Sequence, residues 1–158
     1  MQNIVLIEKS FMKRDYPNRP IVAVGVVVLK QNNVLLIRRN KPPKSDMWSI
    51  PGGAQTLGEK LIETAHREIK EEAGIEIENL TLIDALDFID HDDDRNIKFH
   101  YSLIDYVADY KDGTLKAGDD AQEAKWVTFN DLEHYNLWSQ TLNVIMKAKN
   151  TRDMKEKN

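Results

Sequence analysis

The segment GAQTLGEKLIETAHREIKEEAGI, residues 53–75, leaves this chain few ways to fold. Pro51, Gly52 and Gly53 read as a turn before it, and Gly74 closes it as a helix C-terminal stop. Five glutamates lie inside: Glu59, Glu63, Glu68, Glu71 and Glu72. Each helical residue advances about 100° around the axis. With Glu68 as zero, Glu72 falls at roughly +40° and Glu71 at roughly −60°, so the three share one face. Ala65, Ile69 and Ala73, with Ile62 among them, fall between roughly +60° and +140°, an apolar stripe that packs on a sheet. Glu72 borders that stripe and is expected to be partly desolvated. Carboxylates this close raise one another's pKa. A divalent cation relieves the crowding, and Mg²⁺ prefers carboxylate, water and phosphate oxygens. Arg67, at roughly −100° and beside Glu71, is placed to orient one of these glutamates.

Size and composition narrow the class. The 158 residues suit one domain with a single core. A net charge of −4 argues against a nucleic-acid partner. With no cysteine, disulfides, thiolate zinc sites and a cysteine nucleophile are excluded. The first residues, MQNIVLIEKSFMKRDYPNRP, lack the basic start and long apolar core of a signal peptide. No apolar run reaches membrane-spanning length, so the expectation is a soluble, cytoplasmic protein without a membrane partner.

Along the chain, residues 1–20 read as an N-terminal arm with a short strand at Ile4 to Glu8, available for homodimer contacts. Ile21 to Leu29 is a buried β-branched strand, and Val34 to Arg39 returns after a turn. A loop with Pro42 and Pro43 leads to a short strand at Trp48 to Ile50. The helix spans about Glu59 to Ala73. Leu80 to Ile89 and Ile97 to Tyr106 alternate as a hairpin. Lys125 to Phe129 is a strand, Asn130 caps a short helix, and Ser139 caps a last helix to about Ala148. Residues 149–158 read as a charged, disordered tail.

The segment also matches, position for position, a family signature. Gly53, Glu59, Arg67, Glu68, Ile69, Glu71, Glu72, Gly74 and Ile75 occupy every fixed position of the box of the Nudix hydrolases, metal-dependent enzymes that split diphosphates. A chance match is on the order of one in a billion at average residue usage. The resemblance covers roughly residues 20–148. It implies an α/β fold, a Nudix-type α/β/α sandwich with a mixed β-sheet and a central catalytic loop-helix over residues 21–148.

The resemblance further implies that Glu68, Glu72 and Glu71 bind Mg²⁺, with Mn²⁺ as an alternative, helped by a backbone carbonyl of Gly52 or Gly53. A further acid is expected from the Lys116 to Glu123 loop, with Asp120 and Glu123 as candidates and Asp119 behind them. Glu68, Glu72 and the loop acid are all eligible general bases. Arg38, Arg39, Lys41 and Lys44 are candidates for phosphate or ribose contacts. Trp48, Phe88 and Tyr101 are candidates for stacking on a base. His91 and His100 read as structural, and Asp92, Asp93 and Asp94 as a solvated hairpin tip.

Stretches such as RPIVAVGVVVL, WSIPGGAQTLGE and AGDDAQEAKW resemble a bacterial-type branch described as ADP-ribose pyrophosphatases. That implies hydrolysis of ADP-ribose to AMP and ribose 5-phosphate. The chain departs from the branch at Thr56, where a carboxylate is frequent, and has no proline after Pro51. A nucleoside triphosphate or a nucleotide sugar stays open as substrate. A non-catalytic Nudix-fold effector-binding module is the reading from another class; such modules lose box carboxylates, and all are present here.

Overall fold

A computed structural model describes residues 13–41, 45–118 and 120–158. The strand read at Ile4 to Glu8, Lys44 and Asp119 lie outside the described residues. The elements run β1 (Ile21–Lys30), β2 (Asn33–Arg39), β3 (Trp48–Ser49), β4 (Gly52–Ala54), α1 (Leu61–Ala73), β5 (Glu76–His91), β6 (Ile97–Asp112), β7 (Ala121–Thr128), a 3-10 helix (Phe129–Tyr135) and α2 (Ser139–Glu156).

Alternation along β1 decides the layers. Val24, Val26 and Val28 face one side and pack with Ala65, Ile69 and Ala73 of α1. Val27 and Leu29 face the other and pack with Val144, Ile145 and Ala148 of α2. A strand buried on both faces needs no polar alternation, which explains its near-continuous apolar run. The result is the expected α/β/α sandwich around a mixed sheet: β1 runs parallel to β6, while β5–β6 and β2–β7 are antiparallel.

One feature of the sheet positions the site. β1 and β2 pair only at their turn, Leu29 with Val34 and Lys30 with Asn33. Beyond that they splay, and the segment 48–54 fills the gap, β3 pairing with β2 and β4 with β1. Gly52 and Gly53, read as a turn, therefore form a strand. Gly52 has to be bare, because a Cβ there would overlap the Val24 carbonyl oxygen.

Four other expectations are corrected. Ile62 is 51% exposed and not part of the apolar stripe; Leu61 packs against that cluster instead, and Thr64, fully buried, donates to Glu59 Oε2 at 2.7 Å. The hairpin strands extend well past their alternating cores, to 76–91 and 97–112, because bulges let them keep pairing. The last helix continues to Glu156 instead of fraying at Ala148. Arg152 Nη1 donates to the Gln31 carbonyl at 2.7 Å and Lys155 Nζ to Thr81 Oγ1 at 2.7 Å, so the charged end docks on the sheet. Its N-cap is Trp138, not Ser139. No described helix is long and apolar enough to cross a membrane.

Candidate active site

The first turn of α1 is fixed by its own sequence: Glu63 Oε2 accepts the Lys60 N–H at 2.7 Å, a capping-box contact. Gly74 ends the helix at φ 70°, a left-handed conformation that suits glycine. Between these ends Arg67 organises three carboxylates. Nε and Nη2 grip Glu59 as a fork, at 2.6 and 3.0 Å. Nη1 donates to Glu68 Oε1 at 2.7 Å and to Glu71 Oε2 at 3.2 Å, and Nη2 also reaches the Ala54 carbonyl at 3.1 Å. The helical wheel placed Arg67 beside Glu71 alone; the loop before the helix brings Glu59 back to it. The Arg67 hydrogen bond, with help from the Thr56 N–H and the Thr64 hydroxyl, holds the Glu59 carboxyl down at about 2 despite its burial.

Glu68 and Glu72 face a cavity of about 190 Å³ and line it together with Gly52, Gly53, Arg39, Trp48, Phe88 and Asp120. Glu72 is 7% exposed, and burial pushes its carboxyl up to about 8. The neighbouring Glu68 and Asp120 charges push the same way, against the Gly52 N–H and Arg39. Its Oε2 accepts that Gly52 N–H at 2.9 Å, and Oε1 accepts no hydrogen bond from a described residue. Glu68 is also raised by burial, opposed by Arg67. Gly53 makes room for it, since a Cβ there would overlap the Glu68 carboxylate.

The loop ahead of β7 is tied to the end of α1. Lys116 N–H donates to the Ala73 carbonyl and Gly118 N–H to the Glu72 carbonyl, both at 3.0 Å, satisfying groups that a helix end leaves open. Gly118 lies so close that a Cβ would overlap the Glu71 carbonyl oxygen. This anchoring carries Asp120 to the cavity rim, where Lys41 Nζ meets its Oδ1 at 2.5 Å.

Not every expected residue converges. Glu71 does not line the cavity; its side chain is 56% exposed and, among the described residues, is held by Arg67 alone. Arg38 and Glu123 sit opposite each other in the β2–β7 register and do not line the cavity. Arg38 leans on Asp46, with Nε 3.4 Å from its carbonyl, and Glu123 lies 3.9 Å from Lys125 Nζ. Trp48 lines the cavity but packs edge-on to Tyr135 at 5.1 Å, under Lys125 Nζ. Phe88 packs edge-on to Trp138 at 5.5 Å. Tyr101 lines the cavity, whereas His91 and His100 do not.

The sequence reading missed Arg14, Asp105, Trp138, Gln140 and Thr141, which also line it. For Asp105 a signal existed: it occupies the inward register of β6, two residues after Leu103 and two before the buried Val107. For the others there was none, since only the docking of α2 and the arm brings them in.

The donor set fits a hard divalent cation. Among the described residues no three acidic or imidazole side chains gather to enclose an ion: Glu68 leans on Arg67, Glu72 on Gly52, Asp120 on Lys41. Mg²⁺ does not require such a cage, because it keeps waters and takes one or two carboxylates plus substrate phosphates. Two adjacent carboxylates, both raised by burial and Glu72 to about 8, meet that description.

A family model described as the NUDIX domain matches residues 19–148. The chain is 35% identical over 130 residues to the ADP-ribose pyrophosphatase of Methanocaldococcus jannaschii, covering 79% of this chain and 75% of that protein. It is 37% identical over 87 residues to the 8-oxo-dGTP diphosphatase of Proteus vulgaris, covering 52% and 73%. Among solved structures, a MutT NUDIX hydrolase from Burkholderia pseudomallei superposes with a TM-score of 0.70 at 28% identity, over 82% of this chain and 98% of that one. Box, sandwich and relatives agree, and the chain belongs to the Nudix family as one of its pyrophosphohydrolases.

Proposed function

We propose that this enzyme hydrolyses nucleoside diphosphates linked to a second group, with ADP-ribose, split to AMP and ribose 5-phosphate, as its preferred substrate and Mg²⁺ as its cation. One observation carries the reading: a single cavity is lined both by the Glu68–Glu72 pair and by aromatic rings, Phe88 and Trp138. A diphosphate at the carboxylates then leaves a base within reach of the rings. The choice of ADP-ribose rests on the name of the Methanocaldococcus relative.

The residues divide the work. Glu68 and Glu72 would hold the cation, with Asp120 and the Gly53 backbone, which line the same cavity, as further donors. When bound, Mg²⁺ supplies charge neutralisation at the diphosphate and acidifies the attacking water. Arg67 keeps Glu68 at its post through Nη1 and is itself held by Glu59. The Gly52 N–H fixes one oxygen of Glu72 and leaves the other to the cavity. Arg39 and Lys41, both on the cavity wall, complement phosphate charge. Catalysis in such a site is mainly positioning and charge stabilisation, and the carboxylates at the mouth accept the proton that the water releases.

The test is turnover by purified protein with Mg²⁺ against ADP-ribose, nucleotide sugars, dinucleoside polyphosphates and nucleoside triphosphates including 8-oxo-dGTP. ADP-ribose should give the highest kcat/KM with AMP as product. A preferred triphosphate would overturn the substrate choice. No turnover of any of them, with Glu72→Gln equally inert, would overturn the enzyme.

A further inference from the structure

The mechanism above makes no use of Asp105, although it is among the most buried charged groups in the molecule, at 4% exposure. It lines the same cavity, and its register with Val107 in β6 puts it on the sheet face covered by α2. Neither of its oxygens accepts a hydrogen bond from a described residue. The nearest opposite charge, Lys147 Nζ on α2, is engaged at 2.5 Å by Asp84 of β5. Asp84 faces Asp105 in register across the β5–β6 ladder and repels it. Burial, and that charge, lift the Asp105 carboxyl to about 6, and Lys147 offsets them only in part.

The backbone nonetheless makes room for it. Gly25 lies beside Asp105 in the parallel β1–β6 ladder, and a Cβ at Gly25 would overlap Asp105 Oδ1. Apolar side chains share that cavity wall: Ile50, Leu86 and Val144, with the rings of Phe88 and Trp138. A largely desolvated carboxylate that opens to a cavity without a protein donor is unfavourable in the free protein. It becomes favourable when a ligand brings the donor. An anionic phosphate is repelled by this carboxylate, whereas a flat, apolar group edged with N–H donors fits it.

We propose that Asp105 reads the base of the substrate, its carboxylate accepting a hydrogen bond from the exocyclic amino group of a nucleobase placed against the apolar side chains of the cavity wall. The proposal rests on the nucleotide-hydrolase reading for the identity of the ligand, but not on turnover. It assigns the carboxylates of the cavity different tasks: Glu68 and Glu72 see only the diphosphate, and Asp105 sees only the base.

Titration calorimetry with AMP, GMP and CMP, each beside its analogue with hydrogen in place of the amino group, tests it in the wild type, Asp105→Leu, Asp105→Asn and Glu72→Gln. In the wild type at least one amino-bearing nucleotide should bind about ten-fold more tightly than its analogue. Asp105→Leu should bring that ratio to within about two-fold and melt no lower than the wild type, since it removes a buried carboxylate that lacks a donor. Asp105→Asn keeps the shape, and should narrow the ratio even if the leucine variant does not fold. Glu72→Gln should keep the full ratio. A ratio that survives both Asp105 substitutions, or no discrimination by the wild type, overturns the proposal. An intact, Asp105-dependent ratio in a protein that hydrolyses no diphosphate would support it and defeat the hydrolase reading alone.

Discussion

Glu59 and Glu72 are the same residue type, thirteen positions apart on one loop-helix, and both are largely buried, yet their proton affinities diverge in opposite directions. Glu59 receives the Arg67 fork, a backbone N–H and a hydroxyl, and ends near 2. Glu72 receives one backbone N–H, faces Glu68 and Asp120, and ends near 8. Burial alone raises a carboxyl pKa; the donors that meet it decide whether the shift survives. Glu59 is thus finished within the protein, whereas Glu72 is completed by something from outside.

The sharpest way to break that contrast is to neutralise its unfinished side. Glu72→Gln should lower kcat by about 10³-fold or more if the cation sits there, while metal-free protein unfolds in urea no more easily than wild type. A less stable Glu72→Gln would mean that the residue is structural after all. Next comes the finished side. Arg67→Ala removes five hydrogen bonds and strands two shielded carboxylates. It should cost on the order of 3 kcal/mol of stability, read from the urea midpoint, with Glu59→Gln recovering part of the loss.

The pH dependence of melting without metal separates the two residues. The Glu59 carboxyl is depressed from 4.5 to about 2, so its contribution is present above 4.5 and lost as pH falls toward 2. Glu72 is raised from 4.5 to about 8, so the folded state holds the proton longer and stability declines as pH rises from 4.5 through 8. Glu72→Gln should flatten the alkaline decline and Glu59→Gln the acid one. Added Mg²⁺ should raise the melting temperature more at pH 8 than at pH 5, because it competes with the proton. The smallest effect is expected at Glu71, which is exposed and held by one 3.2 Å contact. Glu71→Ala should change stability by no more than about 0.5 kcal/mol, and a large loss of turnover in that variant would show that Glu71 swings into the cavity to bind the cation.

The sequence made the box helix legible because its spacing is a local property: the shared face of Glu68 and Glu72 and the buried stripe of Ala65, Ile69 and Ala73 follow from 3.6 residues per turn. Ile62 escaped because a wheel has no beginning, and the helix starts only one residue before it. The strand at Gly52 to Ala54 escaped because two glycines read as a turn unless the splay of β1 and β2 is known. Arg38, Arg39 and Glu123 were equivalent in the sequence, and the β2–β7 register decided that only Arg39 faces the cavity. Asp105 was hidden in plain alternation, since a strand pattern marks an inward position without saying that a charge fills it.

The Gly52–Glu72 contact has a practical consequence. The amide that touches the carboxylate belongs to one of only seven glycines in the chain, a sparsely populated corner of a nitrogen–proton correlation spectrum. Its resonance becomes a gauge wired directly to Glu72. It should move as the carboxyl loses its proton, and move again when a cation takes the proton's place. The occupancy of the site can then be followed at equilibrium by watching one backbone signal, without substrate and without turnover.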